Sequence, residues 1–141
     1  MKEEAAQVLP VPREDAWALI AEPFHLPDWW PGYTGVEPDR RGLAENARWE
    51  VVRGARPGLM RKPHGSGLIL IRRVSPGSEL SWHDLGQKLD MGVRLEDEGR
   101  ETKATAWVAG PIWRLYAEGA RLLPAKAVAR LHDLCDTASG L

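Results

Sequence analysis

Few side chains in this 141-residue sequence can do chemistry in an apolar setting, and they are scattered. Asp84 is the sharpest. It ends the run Glu79-Leu-Ser-Trp-His-Asp84, where alternation puts Leu80, Trp82 and Asp84 on one side of a strand. A carboxylate on that side must be paired, hydrated or protonated, because burying a lone charge is costly. It could anchor a ligand, act as a general base, or reach water where the strand bends near its turn. His64 and Tyr116 are the other acid–base candidates. His64 lies in the basic stretch Arg61-Lys-Pro-His-Gly-Ser66. There Arg56, Arg61 and Lys62 could meet a carboxylate or phosphate, or simply keep a loop soluble. His25, His64, His83 and His132 show no metal-ligand spacing, and Cys135 is the single cysteine. No metal and no other cofactor is expected. Nucleophile elbow, phosphate loop and Rossmann glycine pattern are all missing from the sequence.

The aromatic residues are the second resource. Seven tryptophans stand against one phenylalanine. Tryptophan joins a large apolar body to one donor, so it serves cores and ligand cavities alike. Trp29-Trp30 precedes Pro31-Gly32, which suits either a lid with one indole facing inward or a plug under a short helix. Trp113 and Tyr116 are read as cavity wall or as helix-to-sheet packing.

The elements that must position these residues follow from periodicity. Residues 5–11 read as a first strand. Val11 to Glu22 reads as a helix, with Pro12 at its start, Glu14 and Asp15 in its first turn, and Ala16, Trp17, Ile20 and Ala21 facing inward. Leu26 to Gly32 is a short second helix or turn. Thr34–Asp39, Ala47–Arg53, Leu68–Ser75, Glu79–Leu85, Lys88–Glu96 and Glu101–Ala109 are predicted strands, with a long loop over residues 54–67. The last stretch, from Pro111 to Cys135, repeats its apolar positions every three or four residues. It predicts one helix of roughly 36 Å, kinked near Pro124, with Ile112, Leu115, Tyr116, Leu122, Leu123, Ala127, Leu131 and Leu134 on its buried stripe.

Turn positions fix the strand faces, because register and the period of two are linked. A turn at Gly86-Gln87 places Asp84 opposite Leu89, Trp82 opposite Met91 and Leu80 opposite Val93. A turn at Pro76-Gly77 places Ile71 opposite Trp82 and Ile69 opposite Asp84. One face therefore collects Ile69, Ile71, Leu80, Trp82, Leu89, Met91, Val93 and Leu95 around Asp84. A turn at 97–100 extends it to Thr102, Ala104, Ala106 and Val108. Trp107 is left on the outer face without a reason.

Composition narrows the rest. Net charge is −1 and pI about 6.4, so no basic field invites nucleic acid. No apolar run approaches the roughly 20 residues of a membrane span, and the first residues lack a signal-peptide core. With one cysteine, a reducing cytoplasm is the expected compartment, and the chain is read as one domain over residues 1–141, monomer or homodimer.

The order strand, two helices, antiparallel strands and long C-terminal helix resembles the helix-grip fold of the START-like superfamily, also called SRPBCC. It looks most like the polyketide cyclase/dehydrase-type branch. The residues carrying the resemblance are Val11-Pro-Arg-Glu-Asp-Ala-Trp17, Leu26-Pro-Asp-Trp-Trp-Pro-Gly32 with Val36-Glu37 after it, Leu80-Ser-Trp82 after Pro76, and Glu101-Thr102. The resemblance implies an α+β domain in which a curved antiparallel sheet wraps a long C-terminal helix, two short helices follow strand 1, and an apolar cavity lies between. Trp30, Trp49, Ile69, Ile71, Trp82, Asp84, Met91, Trp113 and Tyr116 are the expected ligand-binding residues. Asp84, His64 and Tyr116 are the candidates for catalysis. The expected function is binding of an apolar, partly aromatic or lipid-like small molecule. In an apolar wall Asp84 would favour its neutral acid and donate a hydrogen bond to that ligand. A cyclase, aromatase or dehydratase acting on such a molecule is the alternative.

Overall fold

A computed structural model describes residues 1–53 and 66–139. Seven strands form one antiparallel sheet: β1 (Lys2–Leu9), β2 (Tyr33–Glu37), β3 (Arg48–Arg53), β4 (Ser66–Ser75), β5 (Glu79–Asp84), β6 (Leu89–Glu98) and β7 (Glu101–Ala109). Their spatial order is β1-β7-β6-β5-β4-β3-β2. Strands β1 and β2 are neighbours in sequence yet hold opposite edges. Between them run α1 (Arg13–Ala21), a single 3-10 turn (Pro23–His25) and α2 (Leu26–Trp29). The C-terminal part holds α3 (Ile112–Ala117), a 3-10 turn (Ala120–Leu122) and α4 (Leu123–Ser139). The curled sheet with α4 against it is the helix-grip arrangement.

The register matches the expected pairing through the centre of the sheet. Asp84 is opposite Leu89, Trp82 opposite Met91 and Leu80 opposite Val93. Ile71 is opposite Trp82 and Ile69 opposite Asp84. The match at β4–β5 hides two departures that offset one another. The turn is one residue longer than expected, pairing Ser75 with Glu79, and a bulge between Ile71 and Arg73 takes the extra residue back. The β6–β7 turn is tighter than expected, with Glu98 opposite Glu101 and Gly99 at φ 65°. A shift of two keeps every side chain on its face, so Thr102, Ala104, Ala106 and Val108 are buried as read.

Trp107 faces outward, and the structure supplies the reason. Its ring lies over Gly92, where an added Cβ would sit 2.8 Å from the indole and 2.7 Å from the Leu80 carbonyl oxygen. Lys2 Nζ covers the ring at 4.9 Å from its centroid.

The single long helix is corrected. It is broken rather than kinked. Gly119 takes the left-handed conformation at φ 64°, which stops α3, and Pro124 falls in the first turn of α4, where its missing N–H costs nothing. The break changes the buried stripe. Leu115, Ala120, Ala127, Val128, Leu131 and Cys135 are buried, whereas Ile112, Tyr116 and Leu122 are exposed. Boundaries elsewhere move by a few residues. Strand β1 begins at Lys2 and ends at Leu9, and β2 begins at Tyr33.

Candidate functional site

Asp84 is fully buried, and it is not alone. Its Oδ1 accepts from the backbone N–H of Gly86 at 3.0 Å and of Gln87 at 2.9 Å, and from the Arg53 guanidinium in an ion pair. Its Oδ2 accepts from the Tyr33 hydroxyl at 2.8 Å. The Tyr33 oxygen in turn accepts from Trp82 Nε1 at 3.0 Å. Four donors thus meet a carboxylate that offers about four lone-pair directions. The lone carboxyl expected from the sequence is corrected: Asp84 is an acceptor for a turn, a cation and a phenol.

Each partner is delivered by local structure. The β5–β6 turn folds back over the carboxylate, with Lys88 N–H bonded to the Asp84 carbonyl at 2.7 Å and Lys88 at φ 56°. Arg53 ends β3 and reaches across β4 to Asp84. Its guanidinium lies against two glycines. A Cβ on Gly86 would come within 2.7 Å of Nη2, and one on Gly67 would overlap Nη1. Tyr33 starts β2, directly after the Trp30–Pro31–Gly32 turn. Burial first, then the Asp84 charge and the hydrogen bond to it, hold the Tyr33 phenol well above its usual range.

The tryptophans close the interior. Trp29, Trp30, Trp49 and Trp82 are among the largest fully buried side chains. Trp29, Trp30 and Trp82 contact one another edge to face, with centroids 5.0 to 6.0 Å apart. Trp49 Nε1 donates to the Gly42 carbonyl at 2.9 Å. Trp29 Nε1, Trp30 Nε1 and Arg53 Nε are buried donors with no hydrogen-bond acceptor among the described residues. Trp30 Nε1 is near Gly32, whose added Cβ would lie 3.2 Å from it and 3.8 Å from Leu123 at the start of α4.

The structure therefore brings together Trp30, Trp82, Asp84 and Met91 of the expected site residues, and buries Trp49, Ile69 and Ile71 in the same core. It separates Trp113 and Tyr116, which are 60% and 57% exposed. Their expected place in a cavity wall is corrected, because the break at Gly119 turns α3 so that only Leu115 faces inward. His64 lies outside the described residues, as do Arg56, Arg61 and Lys62. Two site residues were missed. Arg53 looked like the last residue of a strand, and Tyr33 fell one residue before a predicted one. The only available signal was that a buried Asp84 demands a partner.

Two clefts lie away from this cluster. One of about 260 Å³ is bounded by Pro10, Val11, Pro12, Asp15, Leu19, Cys135 and Ala138. Burial, and after it the Asp15 charge, pushes the Cys135 thiol up to about 11. The other, about 270 Å³, is lined by Pro12, Arg13, Glu14, Gly77 and Asp97. Neither touches the expected ligand residues.

No protein-family model and no curated protein sequence matches the chain. Solved structures do. Protein NE0264 from Nitrosomonas europaea is 15% identical, with a TM-score of 0.73 over 100% of this chain and 97% of its own. Ms6760 from Mycobacterium smegmatis is 14% identical, with a TM-score of 0.73 over 97% and 92%. DynU16, encoded in the dynemicin biosynthetic locus, is 18% identical, with a TM-score of 0.69 over 97% of this chain and 48% of its own. The chain spans about half the length of DynU16. The fold is shared with these proteins. At such identities the likeness concerns backbone architecture and leaves the site to be argued from its own residues.

Proposed function

We propose that this chain is a START-like domain, of the polyketide cyclase/dehydrase type, that binds an apolar, partly aromatic small molecule between the sheet and α4. The ligand presents an acceptor oxygen to the Trp29–Trp30 segment. One observation carries this reading: two fully buried indole N–H groups, on adjacent residues, have no acceptor among the described residues. A buried unpaired donor costs about 1–3 kcal/mol, and an oxygen brought by a ligand would recover it. Pro27, Pro31 and Gly32 bracket the two indoles and fix the turn that holds both of them inward. Trp82, Met91, Ile69 and Ile71 supply an apolar wall, and Met91 adapts to ligand shape. Arg53 and Asp84 form the polar end.

An enzyme of the cyclase, aromatase or dehydratase kind is the second reading. The Tyr33–Asp84 hydrogen bond favours it, since it joins an acid to a carboxylate. Against it, Asp84 already accepts four hydrogen bonds, three on Oδ1 and one on Oδ2, which leaves at most one lone pair, on Oδ2, for a substrate proton.

Thermal-shift screening of aromatic and lipid-like compounds, with native mass spectrometry of the purified protein, tests the proposal. Compounds with a carbonyl or carboxylate should raise the melting temperature. Trp30→Phe keeps an aromatic ring, removes the donor and should weaken binding about three- to tenfold. Affinity unchanged in both Trp29→Phe and Trp30→Phe would sink the donor argument. Conversion of a hit, lost in Tyr33→Phe with affinity kept, would favour the enzyme.

A further inference from the structure

Most exposed large apolar residues, such as Val8, Phe24 and Leu85, are spread along the chain, but four fall in one short stretch. Ile112, Trp113 and Tyr116 share one face of α3, at i, i+1 and i+4, and Leu122 follows beyond the break. They are 52%, 60%, 57% and 66% exposed. Scattered exposed apolar residues need no explanation, but a group of this size within residues 112–122 does.

Among residues 111–130 the exposed charged side chains, Arg121, Lys126 and Arg130, are all basic, and exposed acids return only at Asp133 and Asp136. The Arg114 guanidinium stacks over the Trp113 ring at 4.6 Å, and that of Arg121 over the Tyr116 ring at 4.5 Å. Lys126 and Arg130 continue on the exposed side of α4. The nearby acids are paired and partly buried, and so is Arg114, whose side chain is 22% exposed, whereas that of Arg121 is 46% exposed. Glu118, 3.8 Å from Arg114, has a side chain only 11% exposed, and Glu3 lies 3.6 Å from Arg121 with its side chain 29% exposed.

We propose that this surface docks on an anionic lipid bilayer. Tryptophan and tyrosine settle at the level of lipid headgroups, where one end of the ring is wet and the other apolar. Arginine reaches phosphate oxygens in pairs and covers an aromatic face at the same time. Side chains more than half exposed stand proud of the surface rather than line a groove. That shape suits a deformable bilayer better than a shaped protein pocket. No helix among the described residues is long and apolar enough to cross a membrane, so the contact is peripheral. The docking does not depend on the proposed ligand.

Co-sedimentation with phosphatidylglycerol/phosphatidylcholine vesicles, against pure phosphatidylcholine, tests it. The protein should bind the anionic vesicles at low salt and lose about tenfold in affinity at high salt, where surface charges are screened. Trp113→Ala/Tyr116→Ala should weaken binding by about tenfold or more. Arg121→Gln/Lys126→Gln should remove the preference for anionic lipid. Circular dichroism of both variants should match the parent, since Trp113, Tyr116, Arg121 and Lys126 are all exposed. No binding by the parent, or equal binding by the folded variants, overturns the proposal. A dimer in sedimentation that Trp113→Ala/Tyr116→Ala dissociates, without vesicle binding, also overturns it and assigns the surface to a second copy.

Discussion

Tyr33 and Asp84, 51 residues apart in sequence, meet through a 2.8 Å hydrogen bond from the phenol to Oδ2 in the buried interior. The same phenol oxygen is the acceptor for Trp82 Nε1. Tyr33 therefore couples the edge strand β2 to the central strand β5. Tyr33→Phe removes a donor from the carboxylate and leaves the Trp82 indole without an acceptor. We expect a loss of about 1–3 kcal/mol in urea unfolding, since a buried group is stranded. A loss below the error of the measurement would mean that the network relaxes around the phenyl ring.

Arg53 and Asp84 should behave as a unit. Asp84→Asn leaves a largely buried guanidinium without its counter-charge, and the expected cost is about 3 kcal/mol. Combining it with Arg53→Met removes the stranded cation. The double variant should be more stable than Asp84→Asn alone, as a double-mutant cycle would show. Simple addition of the two single losses would contradict the coupling.

The phenol also sets an alkaline limit. Burial and the Asp84 charge raise the Tyr33 pKa well above 10.0, so in that range the folded state holds a proton that the unfolded state has released. The stabilisation is full below about pH 10 and is lost as pH rises from there toward the folded-state value. Stability measured between about pH 9 and pH 12 should fall more steeply in the parent than in Tyr33→Phe.

Gly92 should tolerate nothing larger. A methyl group there would meet the Leu80 carbonyl oxygen at 2.7 Å and the Trp107 ring at 2.8 Å, and the backbone oxygen cannot step aside. Gly92→Ala is expected to cost about 1–3 kcal/mol. Trp107→Ala in the same chain should relieve only the part due to the ring. Full relief by that second change would show that the backbone contact is harmless.

The hairpins were legible because turn residues and alternation agree there. Gly86 and the Pro76-Gly77 pair pinned the faces of Trp82, Met91 and Asp84, and the bulge near Arg72 cancelled the one-residue error of the turn. The polar centre was half legible. Alternation put Asp84 inside, but its partners come from Arg53 and Tyr33 on strands far away in sequence, and no local pattern marks a long-range ion pair. The C-terminal break was readable in principle. A glycine five residues before a proline is a helix stop followed by a helix start. The regular apolar spacing across Gly119 masked it, and with it the outward turn of Trp113 and Tyr116.

Strand β1 lies at the sheet edge, paired along its whole length with β7, from Lys2 opposite Ala109 to Leu9 opposite Thr102. During synthesis on a ribosome β1 leaves the tunnel long before its partner β7, and it is thus among the last of these strands to pair. The meander from β4 to β7 can zip locally through short turns, whereas β1 must wait while most of the chain is made. Closing so long a loop is slow compared with closing a hairpin. The strand bridges that wait with a sequence, Lys-Glu-Glu-Ala-Ala-Gln-Val-Leu, whose charges and small side chains give a stray neighbour little to stick to.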